Sequence, residues 1–217
     1  MLGLFVSVPI ACFRKGLARE YLETEPLPPP STCYGFLLSL VGEGDRRKHI
    51  GARICPVLLN RPEVSVVLRT IWRVKKAPWG TAGNIRPDFQ QLLSHVRLLL
   101  WLDSSDETAS AQIAGSLEQR VEGALANPAG VSRFGGLSLG ESSHLVDEVR
   151  RFEMRDAPSE ALPQEGDAFL ETPNGRLTLP VWVDHVGSAG TRYVTGDLVQ
   201  GALVPPPLAM MPRISDR

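Results

Sequence analysis

The chain has 217 residues, 43% hydrophobic and 22% charged, enough for one large domain or two small ones whose core needs no disulfide or metal staple. It contains no run of about 18 apolar residues, which excludes a membrane-spanning helix. Three cysteines (Cys12, Cys33 and Cys55) form neither an even framework nor a C-x-x-C pair, so a disulfide scaffold and a cysteine zinc site are disfavoured and a reducing cytoplasm is expected. The net charge of −1 conceals an asymmetry, because residues 1–100 hold 14 basic against 7 acidic side chains and residues 101–217 hold 9 against 17. Within 46–97 the balance is 11 to 2, a density of cations that suits a polyanion-binding face. A merely solvated basic face is the plainer alternative.

The apolar stretch Leu2 to Val8 reads as a first strand ended by Pro9 rather than as a processed leader, since no basic residue precedes it. A polar loop over 14–30 closes on Pro28-Pro29-Pro30, after which Ser31 or Thr32 can cap a helix running to Val41 and stopped by Gly42 and Gly44. Ile50 to Leu59 and Val64 to Val74 read as strands joined around Asn60-Arg61-Pro62. The pattern breaks between Lys75 and Gln91 and returns to strand over His95 to Leu102. A helix is predicted over Glu107 to Leu125, with Ile113, Leu117, Val121 and Leu125 on one face. A glycine- and serine-rich loop (131–143), a strand near Leu145 to Met154 and a surface linker at 157–166 follow. Two short strands flank Asn174-Gly175, a hairpin signal. A last strand covers Arg192 to Thr195, and the tail after Pro205-Pro206-Pro207 is expected to be extended or frayed. The order matches an α+β, ferredoxin-like or RRM-like βαββαβ unit with one insertion and a small C-terminal β extension.

The densest chemistry lies in Arg69 to Arg86, which holds two tryptophans, two glycines and no acid. Arg73, Lys75, Lys76 and Arg86 can track phosphates there, and Trp79, between Pro78 and Gly80, can stack on a base. Trp72 suits a core position better. Asp45-Arg46-Arg47-Lys48-His49 is a basic turn able to grip phosphate, with Arg14-Lys15 a weaker sign of the same kind. The Gly135-Gly136-Leu137-Ser138-Leu139-Gly140 loop lacks the lysine of a phosphate-binding P-loop, so its glycines fit close approach of an RNA or of another subunit. His49, His95, His144 and His185 have no zinc-hydrolase spacing and no G-x-S-x-G elbow occurs. A metal-free ribonuclease using Tyr34, Lys48 and His49 stays open as an alternative. So does a module in which the basic block docks an acidic protein.

The pattern Pro9-x-Ala11-x-Phe13-Arg14, followed by Pro28-Pro29-Pro30-Ser31-Thr32-x-Tyr34-Gly35-Phe36-Leu37, resembles the CRISPR-associated family five, the RAMP subunits of Cascade-type complexes, in its DevS-like branch. His49-x-Gly51-x-Arg53 and the glycine-rich loop are similar to that family as well. The resemblance implies an RRM-like RAMP domain over 1–155, with a β-hairpin thumb at about 75–91, and a β-rich extension over 156–217. It further implies a non-catalytic subunit, without cofactor or metal, that caps the 5′ handle of the CRISPR RNA. Its partners would be a backbone RAMP subunit, a large PAM-reading subunit and, through the complex, target DNA. The RNA-binding set expected from residues and resemblance together is Arg14, Lys15, Arg46, Arg47, Lys48, His49, Arg53, Arg73, Lys75, Lys76, Trp79, Arg86, Arg133, Gly135 and Gly136. A processing branch of the family uses a Tyr, Lys and His set, whereas the Lys48-His49 pair here precedes the thumb.

Overall fold

Alternating apolar residues in the first ten positions build a strand that lies second from one edge of a nine-stranded sheet. The computed structural model describes residues 1–16, 21–72, 81, 85–108, 115–153, 163–186 and 188–217, with backbone alone at 70–72, 85 and 86. Strand β1 (Leu2–Ala11) continues through Pro9 and pairs antiparallel with β5 (Ile85–Asp103) on one side and β6 (Glu148–Arg151) on the other. Strand β3 (Arg53–Leu58) pairs antiparallel with the far edge of β5, giving the order β6-β1-β5-β3. The two-residue β2 (Tyr21–Leu22) runs parallel to Phe89 and Gln90.

Two helices cover one face of this sheet. The first, α1 (Pro30–Leu40), starts one residue before the expected caps: Pro29 is the N-cap, and Pro30 carries the preset φ of a first helical position. The Thr32 and Cys33 amides donate to the Pro29 carbonyl, so Ser31 and Thr32 lie inside the first turn. The second, α2 (Leu117–Ala126), is shorter than its apolar spacing predicted. Ser116 and Gln119 form a reciprocal capping box at its start, and Glu107 lies outside the helix with its carboxylate accepting the Leu117 amide at 3.1 Å. Ile113 falls outside the described residues. Leu4, Val6, Leu98 and Leu100 of the sheet pack with Leu37 of α1 and Val121 of α2 in the principal core.

The opposite face buries Phe5, Cys55, Leu99 and Trp101 beneath Phe152, Leu203 and Met211. Trp101 meets Phe152 edge-on, with ring centroids 5.9 Å apart. That cover corrects the expectation of a frayed tail. The Ile54 amide donates to Pro212 and that of Ile214 to Ala52, while Met211 and Ile214 are completely buried. Burying these two side chains offsets the ordering of a short segment, since each is worth about 1.5–3 kcal/mol when removed from water.

Strand β4 (Glu63–Trp72) pairs with Ile85 to Ser94, the first half of β5. Residues 85–91, read from sequence as an irregular break, are therefore strand; the tip at 73–84 lies, except for Thr81, outside the described residues. His95 has a left-handed φ of +55° where β5 passes from β4 to β3. Asn60 bridges that irregularity, donating to the His95 carbonyl at 2.7 Å and accepting the Arg97 amide at 3.0 Å.

Strands β7 (Glu165–Glu171), β8 (Leu177–Trp182) and β9 (Arg192–Ala202) extend the same sheet beyond β3 in the order β7-β9-β8. The hairpin expected at Asn174-Gly175 does not form, because β9 lies between the two strands that this dipeptide joins. The connection instead crosses directly over β9. A Cβ at Gly175 would lie 2.3 Å from the Gly196 Cα, and one at Gly196 would lie 2.3 Å from the Leu170 carbonyl oxygen. Backbone passes over backbone there, a contact that only glycine permits. β9 is also longer than predicted, since Gly196 and Gly201 mask its strand pattern in the sequence.

Candidate nucleic-acid interface

The basic turn after α1 buries His49 and leaves Asp45 and Arg47 exposed. His49 is 0% exposed; its Nδ1 lies 2.9 Å from Glu107 Oε2 and its Nε2 2.9 Å from an Arg120 guanidinium nitrogen. A guanidinium can only donate, so Nε2 accepts and the ring proton sits on Nδ1, where it is donated to Glu107. Lys48 pairs with Glu43 at 3.0 Å, and Arg120 reaches the same carboxylate at 2.7 Å. Burial opposes ionisation of Glu43, yet the Asp45 amide, then Arg120 and Lys48, together hold its carboxyl down at about 2. Tyr34 donates its hydroxyl to the Arg46 carbonyl at 2.7 Å, and burial pushes the phenol upward.

Three of the five expected cations or donors in this region thus bond to other parts of the protein. His49 and Lys48 close the network around Glu43 and Glu107. Arg53 pairs with Asp106 at 2.8 Å and donates to the Leu208 and Met211 carbonyls, clamping the C-terminal segment. Each has a protein partner; the His49 ring has no accessible surface, whereas Lys48 and Arg53 stay partly exposed. Arg46 lies flat on Trp182, 3.8 Å from the ring centroid, and donates to the Val183 carbonyl. Arg47 is the most open, 75% exposed and only 4.0 Å from Asp216. Tyr34, Lys48 and His49 thus each bond to a protein partner, and of the three side chains Tyr34 and His49 are buried and Lys48 is half-exposed.

The glycine-rich loop is differently built. Leu139 is completely buried, and His144 Nδ1 accepts the amides of Cys12 and Glu141, both at 3.2 Å, anchoring residues 137–146 to the end of β1. Beyond this anchor, Arg133, Gly135 and Gly136 are exposed, and Phe134 is fully so. Gly135 has a φ of +75°, a left-handed conformation that turns the tip outward. Phe134 was absent from the residues singled out in the sequence, although an aromatic between arginine and a glycine pair was a readable signal.

Glu141 joins this loop to the β4–β5 hairpin. Arg69 donates to it at 3.1 Å and Gln90 at 2.9 Å, and Arg69 also bonds Gln90. The hairpin carries an exposed apolar ribbon of Val64, Val66 and Leu68 across from Phe89, with Tyr21 beside it at 6.4 Å between ring centroids. Arg14 bridges to Thr24 near the same base, and Lys15 lies 3.8 Å from Glu23. Arg73, Lys75, Lys76 and Trp79 lie outside the described residues, and of Arg86 only the backbone, paired with Ile71, is described.

A cavity of about 340 Å³ opens between α1, β8 and the glycine-rich loop, with Gly35, Ser138 and Trp182 among its walls. Among the described residues, no group of three or more His, Cys, Asp or Glu side chains is placed to hold a metal ion. No described helix is long and apolar enough to cross a membrane.

No family model matches the chain. A CRISPR-associated protein Cas5 of Myxococcus xanthus (strain DK1622) is 50% identical over 216 residues, 99% of this chain and 97% of its own length. This chain belongs to the Cas5 family. Among solved structures, a chain of a CRISPR RNA-guided surveillance complex shares the fold at a TM-score of 0.60 and 16% identity, over 92% of this chain and 90% of that chain. A structure described as the crystal structure of a Cas protein matches at 0.50 and 15%, over 93% and 94%. The resemblance read from the proline-led helix start therefore holds at the level of family, and the mixed, mostly antiparallel architecture of this Cas5 chain is shared with CRISPR proteins of distant sequence.

Proposed function

We propose that this Cas5-family chain is a non-catalytic subunit of a type I Cascade complex that holds the 5′ handle of the CRISPR RNA in the cytoplasm. The strand order β6-β1-β5-β3 with α1 and α2 on one face reads as the ferredoxin-like RAMP platform, and the β4–β5 hairpin as its thumb. The observation that carries the reading is the tie between hairpin and glycine-rich loop through Glu141. It joins the loop that carries the exposed Arg133, Phe134, Gly135 and Gly136 to the hairpin whose strands hold Arg86 and whose connecting segment holds Arg73, Lys75, Lys76 and Trp79. Such a pairing of cations with exposed aromatic rings suits single-stranded RNA, which is gripped by its phosphates and read through unstacked bases. Arg14, Lys15, Arg46 and Arg47 would add phosphate contacts.

The apolar ribbon of β4 suits a protein neighbour, which we take to be the backbone RAMP subunit, and the acidic second half would face the large PAM-reading subunit, with target DNA engaged through the complex. The test is co-purification of the tagged chain with its genomic neighbours and mapping of the 5′ ends of the bound RNA. A short RNA population with one repeat-derived 5′ handle is the expected result. An intact complex without RNA overturns the reading and favours a purely protein-docking module.

A further inference from the structure

The glycine-rich loop is held at both ends, and one of the two holds is of a kind that a proton can undo. At its start, the Ser132 carbonyl oxygen lies so close to the end of α1 that a Cβ on Gly42 would sit 2.2 Å from it. At its end, residues 137–146 fold back on themselves: the Leu139 amide donates to the His144 carbonyl at 3.1 Å and the Val146 amide to that of Leu137 at 2.9 Å. Gly136 enters this turn against Leu145, whose side chain a Cβ there would meet at 3.0 Å. The exposed tip at 133–136 is thus a short span between two fixed points.

The second fixed point depends on one ring. His144 is 8% exposed, and its Nδ1 accepts the amides of Cys12, just beyond β1, and of Glu141, both at 3.2 Å. Backbone amides can only donate, so this nitrogen carries no proton and the neutral ring has its hydrogen on Nε2. A proton on Nδ1 would aim a third N–H at the two already there, and both amides would lose their acceptor. Gly140 keeps the loop backbone against the same strand end, since its φ is +100° and a Cβ there would lie 2.8 Å from the Cys12 carbonyl oxygen. Glu141 passes the hold on to the β4–β5 hairpin, because its carboxylate accepts from Arg69 and Gln90.

The charges around the ring leave it neutral near pH 7. Glu141 faces it from the same loop and Arg69 from β4, while burial keeps the thiol of Cys12 protonated, with Arg14 beyond it. Asp88 of β5 stands in register opposite Arg69. Burial pulls the ring below its usual 6.5, with Glu141 opposing and Arg69 assisting.

We propose that His144 is a positioning residue: its neutral ring locks the glycine-rich loop to the end of β1 and to the β4–β5 hairpin, and so sets where the exposed tip meets RNA. The role toward RNA rests on the reading of the chain as a handle-holding subunit; the lock itself does not.

Hydrogen exchange of the full chain, read at the Cys12 and Glu141 amides and corrected for the pH dependence of intrinsic exchange, tests the lock. In the wild type, protection should be flat from about pH 8 to 6.5 and then fall about 10-fold per pH unit, because opening takes up a proton. His144→Asn puts a carbonyl oxygen where Nδ1 stands, accepts the same amides without titrating, and should keep the protection throughout. His144→Ala should lack it throughout. Wild-type protection that ignores pH over this range, or His144→Asn matching His144→Ala, overturns the lock. In the assembled complex near pH 7, guide RNA retention should be close to wild type in His144→Asn and weakened about 10-fold in His144→Ala, the scale of one lost stacking contact. Equal retention in His144→Ala and wild type overturns the positioning role. A complex that holds no RNA overturns the handle-holding reading instead, since the exchange result is independent of RNA.

Discussion

His49 spends both ring nitrogens inside the protein, between Glu107 and Arg120, and this decides what its removal does. His49→Ala leaves a carboxylate and a guanidinium without their shared partner, which should cost about 3 kcal/mol in denaturant unfolding. Wherever the variant is folded, RNA retention should be unchanged; loss of a specific cleavage activity would instead restore the nuclease alternative. Acid acts at two other groups. Burial, aided by Arg69 and opposed by Glu141, depresses His144 below its usual 6.5. Its contribution is therefore fully present above about pH 6.5 and lost as pH falls through the lower folded value, when the unfolded chain takes up the proton more readily. Glu43 follows the same sign in a lower window, its contribution present above 4.5 and lost toward 2. Denaturant titrations from pH 8 downward should show stability falling in two limbs, the upper one absent in His144→Ala. None of this was readable from the sequence. The basic turn announces cations, but the carboxylate that engages His49 comes from 58 residues away, and its guanidinium partner from 71.

Local chemistry specified elements better than their partners. Proline punctuation and apolar periodicity located α1, β1, β3 and the second half of β5, because these features act within a few residues. Asn174-Gly175 is an equally local hairpin signal, overridden because β9, arriving later in the chain, inserts between β7 and β8. Two substitutions separate these levels. Ser116→Ala removes the capping box of α2 and should cost about 1 kcal/mol. Gly196→Ala drives a methyl into the Leu170 carbonyl, and its cost should exceed that, at about 2–3 kcal/mol in the same assay. The β4–β5 hairpin behaves differently. Val66→Glu with Leu68→Lys touches only exposed positions and should leave the thermal midpoint nearly unchanged, within about 0.5 kcal/mol per site. The same pair should reduce co-purification of the neighbouring backbone subunit, and full retention of that subunit would place its contact elsewhere.

For the whole molecule, the charge asymmetry of the sequence survives only in part as an available surface. Lys48 and Arg53 of the basic stretch already have carboxylate partners, so the number of phosphates neutralised should be smaller than the count of 11 cations suggests. The slope of log affinity against log salt for guide RNA should accordingly be several units, and Lys75→Ala with Lys76→Ala should lower it by about 1–2. A slope unchanged by this pair would remove the hairpin tip from the phosphate path. The Pro212–Ile214 segment, laid alongside residues 51–54 and clamped by Arg53, has a further consequence for the order of events. Met211 and Ile214 complete hydrophobic clusters begun by β1 and β3, and the Arg53–Met211 hydrogen bond spans 158 residues. The sheet face around Cys55 and Trp101 therefore stays uncovered until this distant segment docks. Completion of the fold is a late event, and a chain cut before Met211 leaves that face open to aggregation.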